Sequence, residues 1–163
     1  MGAQVDKVDA SGWTALMYAS AAWSGAAVVD ELLKAGATPK HVSLYGDTIL
    51  MSASLTGHFD GDLARLGANL NAQNRDGVSA LMLLAARGRP AEIRAALKAG
   101  ANAKLTDRNG HAAVDYLDAT NCHKSLVRGF KSFMEVTGPC KAADKGDFGK
   151  SRKMLQSAAR SNP

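Results

Sequence analysis

The residues best suited to chemistry are four histidines and one lysine–serine pair, and none has the spacing of an enzyme or metal site. Gly149-Lys150-Ser151 is typical of the end of a phosphate-binding loop, but Asp144 stands where that loop needs its first glycine. No nucleophile has a supporting base at a suitable spacing. The sequence therefore predicts no catalytic site, no metal site and no cofactor. The histidines, which show no metal-ligand spacing, are His41, His58, His111 and His123.

The basic charge of the chain is confined to its C-terminal quarter. The net charge is +5, yet residues 1–123 carry 11 Lys or Arg against 12 Asp or Glu, whereas residues 124–163 carry 9 against 3. Among the basic residues Lys145, Lys150, Arg152 and Lys153 the one aromatic side chain is Phe148, which alone is a weak signal for stacking on nucleic-acid bases. We therefore expect a solvated helix face there, and a segment that binds phosphate backbones is the alternative.

Composition predicts the elements that would position these residues. The chain has 163 residues, of which 46% are hydrophobic and 21% charged, which is typical of one globular domain. No apolar run reaches the ~18 residues of a membrane span, and the N-terminus shows no apolar stretch of an export signal. Aromatic residues make up only 6%, while Ala, Gly and Leu are abundant. This composition favours short, closely packed helices.

A two-glycine frame recurs along the chain. Gly-Ala stands at residues 2, 36, 67 and 100, at spacings of 34, 31 and 33, and a second glycine follows ten residues after each. A glycine that follows an apolar run, such as Gly36, can end a helix with a positive φ. Thr14 and its counterparts, just after the second glycine, can cap the next helix. Each unit is thus predicted to be a turn and two short antiparallel helices, stable only against its neighbours. One apolar column is expected through the stack: Leu16, Leu50, Leu81 and Val114.

This frame resembles the ankyrin repeat, which has a period of ~33 residues and a Thr-Pro-Leu-His core. Here the core reads Thr14-Ala15-Leu16-Met17, and one unit ends in Gly67-Ala68-Asn69-Leu70-Asn71-Ala72. The proline and histidine of the core are absent from every copy. The resemblance implies an all-α ankyrin-repeat solenoid of about four repeats with short β-turn fingers and a degenerate fifth repeat. The predicted units are 1–8 (the end of an incomplete repeat), 9–41, 42–73, 74–106, 107–134 and the capping repeat 135–163.

Both ends of the chain and the cysteines leave alternatives open. The last segment fits a fifth repeat in phase from Thr137, or a single irregular helix with a tail. Residues 2–6 match the end of a unit whose helices are missing, so either the protein is truncated there or this segment alone covers the first repeat. The resemblance implies a structural role for His58 between neighbouring loops. Regular ankyrin geometry separates Cys122 from Cys140 and argues for free thiols, whereas an irregular fifth unit would permit a disulfide.

Ankyrin proteins bind other proteins through hairpin tips and the inner face of their first helices, and the resemblance transfers these positions to this chain. Large apolar side chains fall on them and are expected to be exposed as binding hot spots. Arg75, Arg87 and Arg108 would form a charged rim that steers an acidic partner. Alternatively, Trp13 or Trp23 fills an N-terminal core left open by the missing helices. The predicted partner-binding residues are Trp13, Trp23, Leu44, Tyr45, Asp47, Leu55, Arg75, Asp76, Val78, Arg87, Arg108 and His111.

The resemblance implies a non-enzymatic binder of another protein, without a nucleic-acid, membrane or small-molecule partner. Short divergent ankyrin proteins resemble bacterial immunity or self-protection proteins, which inhibit the producer's own secreted enzymes, cell-wall peptidases included. We therefore expect a dedicated inhibitor of an enzyme, located in the periplasm. The alternatives are a cytoplasmic scaffold or adaptor, a host-directed effector and, more weakly, a nucleic-acid binder that uses the basic C-terminus.

Overall fold

The described part of the chain is a row of short helices joined by hairpin turns. The structure is a computed structural model that describes residues 4–22, 26–56, 68–117 and 145–161. Within these residues the only β structure is four isolated antiparallel bridges, one in each hairpin. The prediction of an all-α stack with short turn fingers is confirmed. The helices are α1 (Ala15–Ala21), α2 (Ala26–Lys34), α3 (Ile49–Thr56), α4 (Ala80–Ala86), α5 (Pro90–Lys98), a 3₁₀ helix (Asp115–Leu117) and α6 (Lys145–Ser161).

The first helices of successive repeats form the centre of the stack. Helix α3 packs between α1 and α4, and the 3₁₀ helix packs on the far side of α4. Helix α2 covers α1, and α5 covers α4. Small buried residues such as Ala53 and Ala85 let neighbouring helices approach closely. The predicted apolar column is confirmed, since Leu16, Leu50 and Leu81 are buried and Val114 is partly buried against them.

Residues close in sequence set the helix ends as predicted. Gly36 follows α2 with a φ of +89°, a left-handed conformation that suits glycine. The Thr14 hydroxyl accepts a hydrogen bond from the Met17 N–H at 3.3 Å and so caps α1. Pro90 is the first residue of α5, where its missing N–H removes no helical hydrogen bond. Ser79 differs from Thr14, because its hydroxyl is buried without a hydrogen-bond partner among the described residues.

The last described residues of the chain form one long helix, and the predicted fifth helix pair stays a prediction because residues 118–144 are not described. Helix α6 has 17 residues and packs against α5 and the 3₁₀ helix. It therefore lies where a regular stack would have the second helix of the fourth repeat. Leu155 and Ser151 are fully buried in this contact. The Phe148 ring lies so close to Gly88 that a methyl group there would come within 2.8 Å of it.

Some predictions lie outside the described residues. The repeat boundaries, including those of the capping repeat at 135–163, stay predictions, because residues 118–144 are among those not described. The same holds for the disulfide and for the choice of Trp23 as a binding residue. The singled-out residues outside the described ranges are Trp23, His58, Cys122, His123 and Cys140.

Gly77→Ala is expected to destabilise the protein more than the matched variant Gly110→Ala. Both glycines have a positive φ, +79° and +83°, so each alanine brings a left-handed strain of about 1–2 kcal/mol. A methyl group on Gly77 would also lie 2.9 Å from the Arg108 nitrogen, whereas one on Gly110 meets no described atom within 4 Å. Urea unfolding should show an extra loss of about 1 kcal/mol or more for Gly77→Ala. Equal losses of stability for the two variants would mean that neighbouring hairpins are not in close contact at Gly77.

Candidate functional site

One side chain closes each hairpin by accepting two backbone hydrogen bonds. In the third hairpin, Asn74 Oδ1 accepts the N–H groups of Asp76 and Val78 at 3.0 and 2.9 Å. The Gly77 N–H then donates to the Asn74 carbonyl at 2.9 Å. Asp, Asn and Ser suit this position because their short side chains reach the backbone two residues further on. The corresponding acceptors in the other hairpins are Asp9, Ser43 and Asp107.

Neighbouring hairpins are joined at their tips by backbone hydrogen bonds. In the second, third and fourth hairpins a backbone N–H at the tip donates to a carbonyl of the preceding tip over 2.9 to 3.1 Å. The donor and acceptor pairs are Leu44 to Ser11, Arg75 to Tyr45, and Arg108 to Asp76. Because its own turn and its neighbours both hold each tip, the backbone of this surface is preorganised. We call the tip residues the fingertip row: Ala10, Ser11, Leu44, Tyr45, Arg75, Asp76, Arg108 and Asn109.

The fingertip row presents two large apolar side chains to solvent. Leu44 is 58% exposed and Tyr45 is 41% exposed. Arg75 and Arg108 are exposed, and Asp76 is partly exposed. The prediction of exposure is therefore confirmed for Leu44, Tyr45 and the two arginines, and their role in binding stays a prediction.

Three other apolar residues predicted at this surface are buried, so their predicted exposure is wrong. Trp13 is only 4% exposed, and Leu55 and Val78 are buried with it in the hydrophobic core. Trp13 and Val78 follow a turn glycine, where the chain returns from the tip into the stack. The Trp13 ring packs on Tyr18, with ring centres 5.0 Å apart. Leu55 lies on α3, which α1 and α4 cover from either side. The structure thus favours the alternative in which Trp13 belongs to the N-terminal core.

The prediction that Asp47 faces a partner is also wrong, because its side chain is fully buried. Its carboxylate accepts hydrogen bonds from Asn74 Nδ2 at 3.0 Å and from the Ser43 hydroxyl at 3.2 Å. Burial raises the pKa of Asp47, and hydrogen bonds from Asn74, Ser43 and Trp13 oppose this rise without cancelling it. Trp13, Asp47 and Asn74 belong to three successive hairpins. The buried carboxylate therefore links three repeats.

Two further predicted residues, Arg87 and His111, are half-buried. Arg87 follows α4, and burial lowers the pKa of its guanidinium. His111 lies beside Asp107, with its Nδ1 3.5 Å from Asp107 Oδ2. Burial by itself raises the pKa of Asp107, but hydrogen bonds from His111, Tyr116 and Asn109 outweigh it, so that the pKa is lowered. His111 and Asp107 thus interact within their own hairpin.

Sequence reasoning missed Tyr18, which is 45% exposed on α1. The residues at the same position of the next three repeats, Ser52, Leu83 and Tyr116, are buried. Among the described residues no helix pair precedes α1, and this explains the difference. The Tyr18 hydroxyl donates to Asp9 Oδ2 at 2.7 Å. In an alignment of the four repeats, Tyr18 falls in a column whose residues are normally covered by the preceding repeat. An aromatic residue there, in the first repeat, is the signal that could have identified it.

The described residues hold no arrangement suited to metal binding or to membrane insertion. Within residues 4–22, 26–56, 68–117 and 145–161, no three His, Cys, Asp or Glu side chains come together as metal ligands. None of the helices in these ranges has both the length and the apolarity to span a bilayer. His41 instead joins two hairpins, since its Nε2 is hydrogen-bonded to the Gly12 carbonyl at 2.8 Å.

Comparison with protein families agrees with this architecture. A family model described as ankyrin repeats (many copies) matches residues 63–117, and one described as ankyrin repeat matches residues 11–43. Together the two matches cover more than half of the chain, and the protein belongs to the ankyrin-repeat family. Ankyrin repeats mediate protein–protein interactions, so the fold is that of a protein-binding module. A comparison with curated proteins finds no match.

Trp13→Ala is expected to destabilise the fold, whereas Leu44→Ala is not. Trp13 is buried and Leu44 is exposed, so only the first substitution removes core contacts. Truncation of a buried tryptophan costs about 3–5 kcal/mol, and a surface substitution changes stability by about 0.5 kcal/mol or less. Urea unfolding followed by circular dichroism measures both. A stable Trp13→Ala variant would contradict the assignment of Trp13 to the core.

Asp9→Asn and Asp47→Asn are expected to change the pH dependence of stability in opposite directions. Burial by itself raises the pKa of Asp9, but hydrogen bonds from Tyr18, Ser11 and Trp13 together outweigh it and lower the pKa from 3.8 to about 2. Asp9 therefore stabilises the fold above pH 4 and loses this effect as the pH falls toward 2. The pKa of Asp47 is raised, so its contribution is greatest below pH 4 and declines as the pH rises.

The free energy of unfolding of the wild type and of each variant, measured from pH 2 to pH 7, tests this pair. The advantage of the wild type over Asp9→Asn should shrink toward low pH. Its advantage over Asp47→Asn should shrink toward neutral pH. Trends of the same sign for both variants would show that the two carboxylates do not have the opposite environments described above.

Proposed function

We propose that this protein is a non-enzymatic inhibitor of the immunity or self-protection kind, which covers the active site of a secreted bacterial enzyme such as a cell-wall peptidase. The observation that carries the proposal is the exposed pair Leu44 and Tyr45 on a preorganised backbone. Docking such a pair costs little conformational entropy. Tyrosine is also among the residues that most often dominate binding energy at interfaces. The family supports the choice of a protein as the partner, since ankyrin repeats bind proteins.

The shape of the fingertip row suits an enzyme cleft. Substrate clefts are concave and mainly apolar, with a few polar groups that fix orientation. The hairpin tips are hydrogen-bonded side by side in a row, in which Leu44 and Tyr45 supply apolar surface and Arg75 and Arg108 supply polar contacts. A row of this kind can occupy a cleft and exclude substrate without any chemistry of its own.

The proposal places the protein in the periplasm, where it would meet a secreted enzyme. A cytoplasmic adaptor or a host-directed effector is the second candidate, and the same exposed pair supports it, because a bound partner need not lose activity. Nucleic-acid binding is a weaker candidate that rests on α6, where Lys150 and Lys153 are exposed.

The discriminating experiment is a titration of the purified protein into periplasmic and cytoplasmic fractions of the producing organism. Hydrolysis of peptidoglycan is followed as loss of turbidity, and bound proteins are identified by mass spectrometry. We expect complete inhibition in the periplasmic fraction at one equivalent of the captured enzyme, in a complex that resists salt. Binding without loss of turnover would favour the adaptor. Affinity for nucleic acid that falls steeply with salt would favour the third candidate.

Leu44→Ala and Tyr45→Ala are each expected to weaken inhibition of the captured enzyme. Hot-spot truncations cost about 1–3 kcal/mol, or roughly 5- to 150-fold in the inhibition constant. Val28→Ala is the matched control, because Val28 is an apolar residue on α2 that is 53% exposed. The inhibition constant of the Val28→Ala variant should equal that of the wild type. Unchanged inhibition by both tip variants would remove the fingertip row as the binding surface.

A further inference from the structure

We infer that the fingertip row recognises a partner segment in two parts, with an apolar side chain over Leu44 and Tyr45 and carboxylates over Arg75 and then Arg108. The inference rests on the proposed function. It adds the chemistry, the order and the spacing of the partner's side chains, which are independent of the partner's identity.

The two arginines are available to a partner. Both are exposed, and neither forms an ion pair with another described residue. Asp107, the residue before Arg108, is buried, and it accepts hydrogen bonds from its own turn and from Tyr116. An exposed guanidinium can pair with a carboxylate through two parallel hydrogen bonds, which adds geometric selectivity to the charge.

The hydrogen bonds between tips set the distance from the apolar part of the row to its cations. Leu44 and Tyr45 lie in the second hairpin, Arg75 in the third and Arg108 in the fourth. Packed helices are about 8–10 Å apart, so successive hairpins are separated by roughly that distance. An extended chain advances about 3.3 Å per residue, so one hairpin corresponds to about three residues. The matching segment has an apolar residue and carboxylates about three and six residues further along.

The charge along the row fixes the orientation of that segment. The first hairpin carries Asp9, which is exposed and ionised near neutral pH. An acidic segment is therefore repelled at the first hairpin and attracted at the third and fourth. Asp76, partly exposed beside Arg75, weakens the attraction at the third hairpin. Arg108 is consequently expected to contribute more to binding than Arg75.

Peptide selection tests this inference without the natural partner. Random-sequence dodecapeptides displayed on phage are selected separately against the wild type, against the double variant Arg75→Glu with Arg108→Glu, and against a control. The matched control is Arg94→Glu with Lys98→Glu, which reverses two exposed charges on α5. Circular dichroism verifies that all three proteins fold. A synthetic copy of the best wild-type peptide is then titrated against each protein.

The wild type and the control should enrich peptides with an apolar residue followed by Asp or Glu at about the third and sixth positions beyond it. The double variant should prefer Lys or Arg there and bind the best wild-type peptide at least about tenfold more weakly. A selection without this acidic pattern, or an acidic preference kept by the double variant, would overturn the inference. Neither result would contradict the proposed function, which is tested separately by inhibition of the whole enzyme. The expected pattern without enzyme inhibition would instead support a non-inhibitory binder.

Discussion

The stack depends on the hydrogen bonds that join each hairpin to the next. Asn74 closes its own hairpin through Oδ1 and reaches the preceding repeat through Nδ2, which donates to Asp47. Backbone groups at the tips pair across the same boundary. These directional bonds set the register in which α1, α3 and α4 bury their apolar column, and the same register leaves Leu44 and Tyr45 in solvent. The buried core and the exposed fingertip row therefore share one geometric cause.

Asp47 shows why a polar group belongs inside this stack. A buried carboxylate is tolerated only where hydrogen bonds replace its hydration. Asp47 obtains them from its own hairpin and from the hairpins on either side, through Ser43, Trp13 and Asn74. Apolar contacts between similar helices would permit small displacements, whereas this set of bonds is satisfied in one arrangement of three repeats. A rigid surface at the tips follows from that arrangement.

The two ends of the described stack are covered differently. Helix α6 buries Leu155 and places Phe148 against Gly88, and so covers the apolar flank of α5. On the outer side of α6, Lys150 and Lys153 are exposed to water. At α1 the ring of Tyr18 stays partly exposed and is fixed by a hydrogen bond to Asp9. Charge differs along the row as well, with Asp9 in the first hairpin and Arg108 in the fourth.

The recurring two-glycine frame of the sequence determined by itself the turns, the helix ends and the buried column, because Gly36, Thr14 and Leu16 act through neighbours close in sequence. Tertiary structure decided which residues next to a turn glycine face solvent. Tyr45 precedes its glycine and stays at the tip, whereas Trp13 follows its glycine and enters the stack, where the Asp47 carboxylate accepts its hydrogen bond. Burial at such positions depends on side chains from adjacent repeats, and a single repeat does not contain that information.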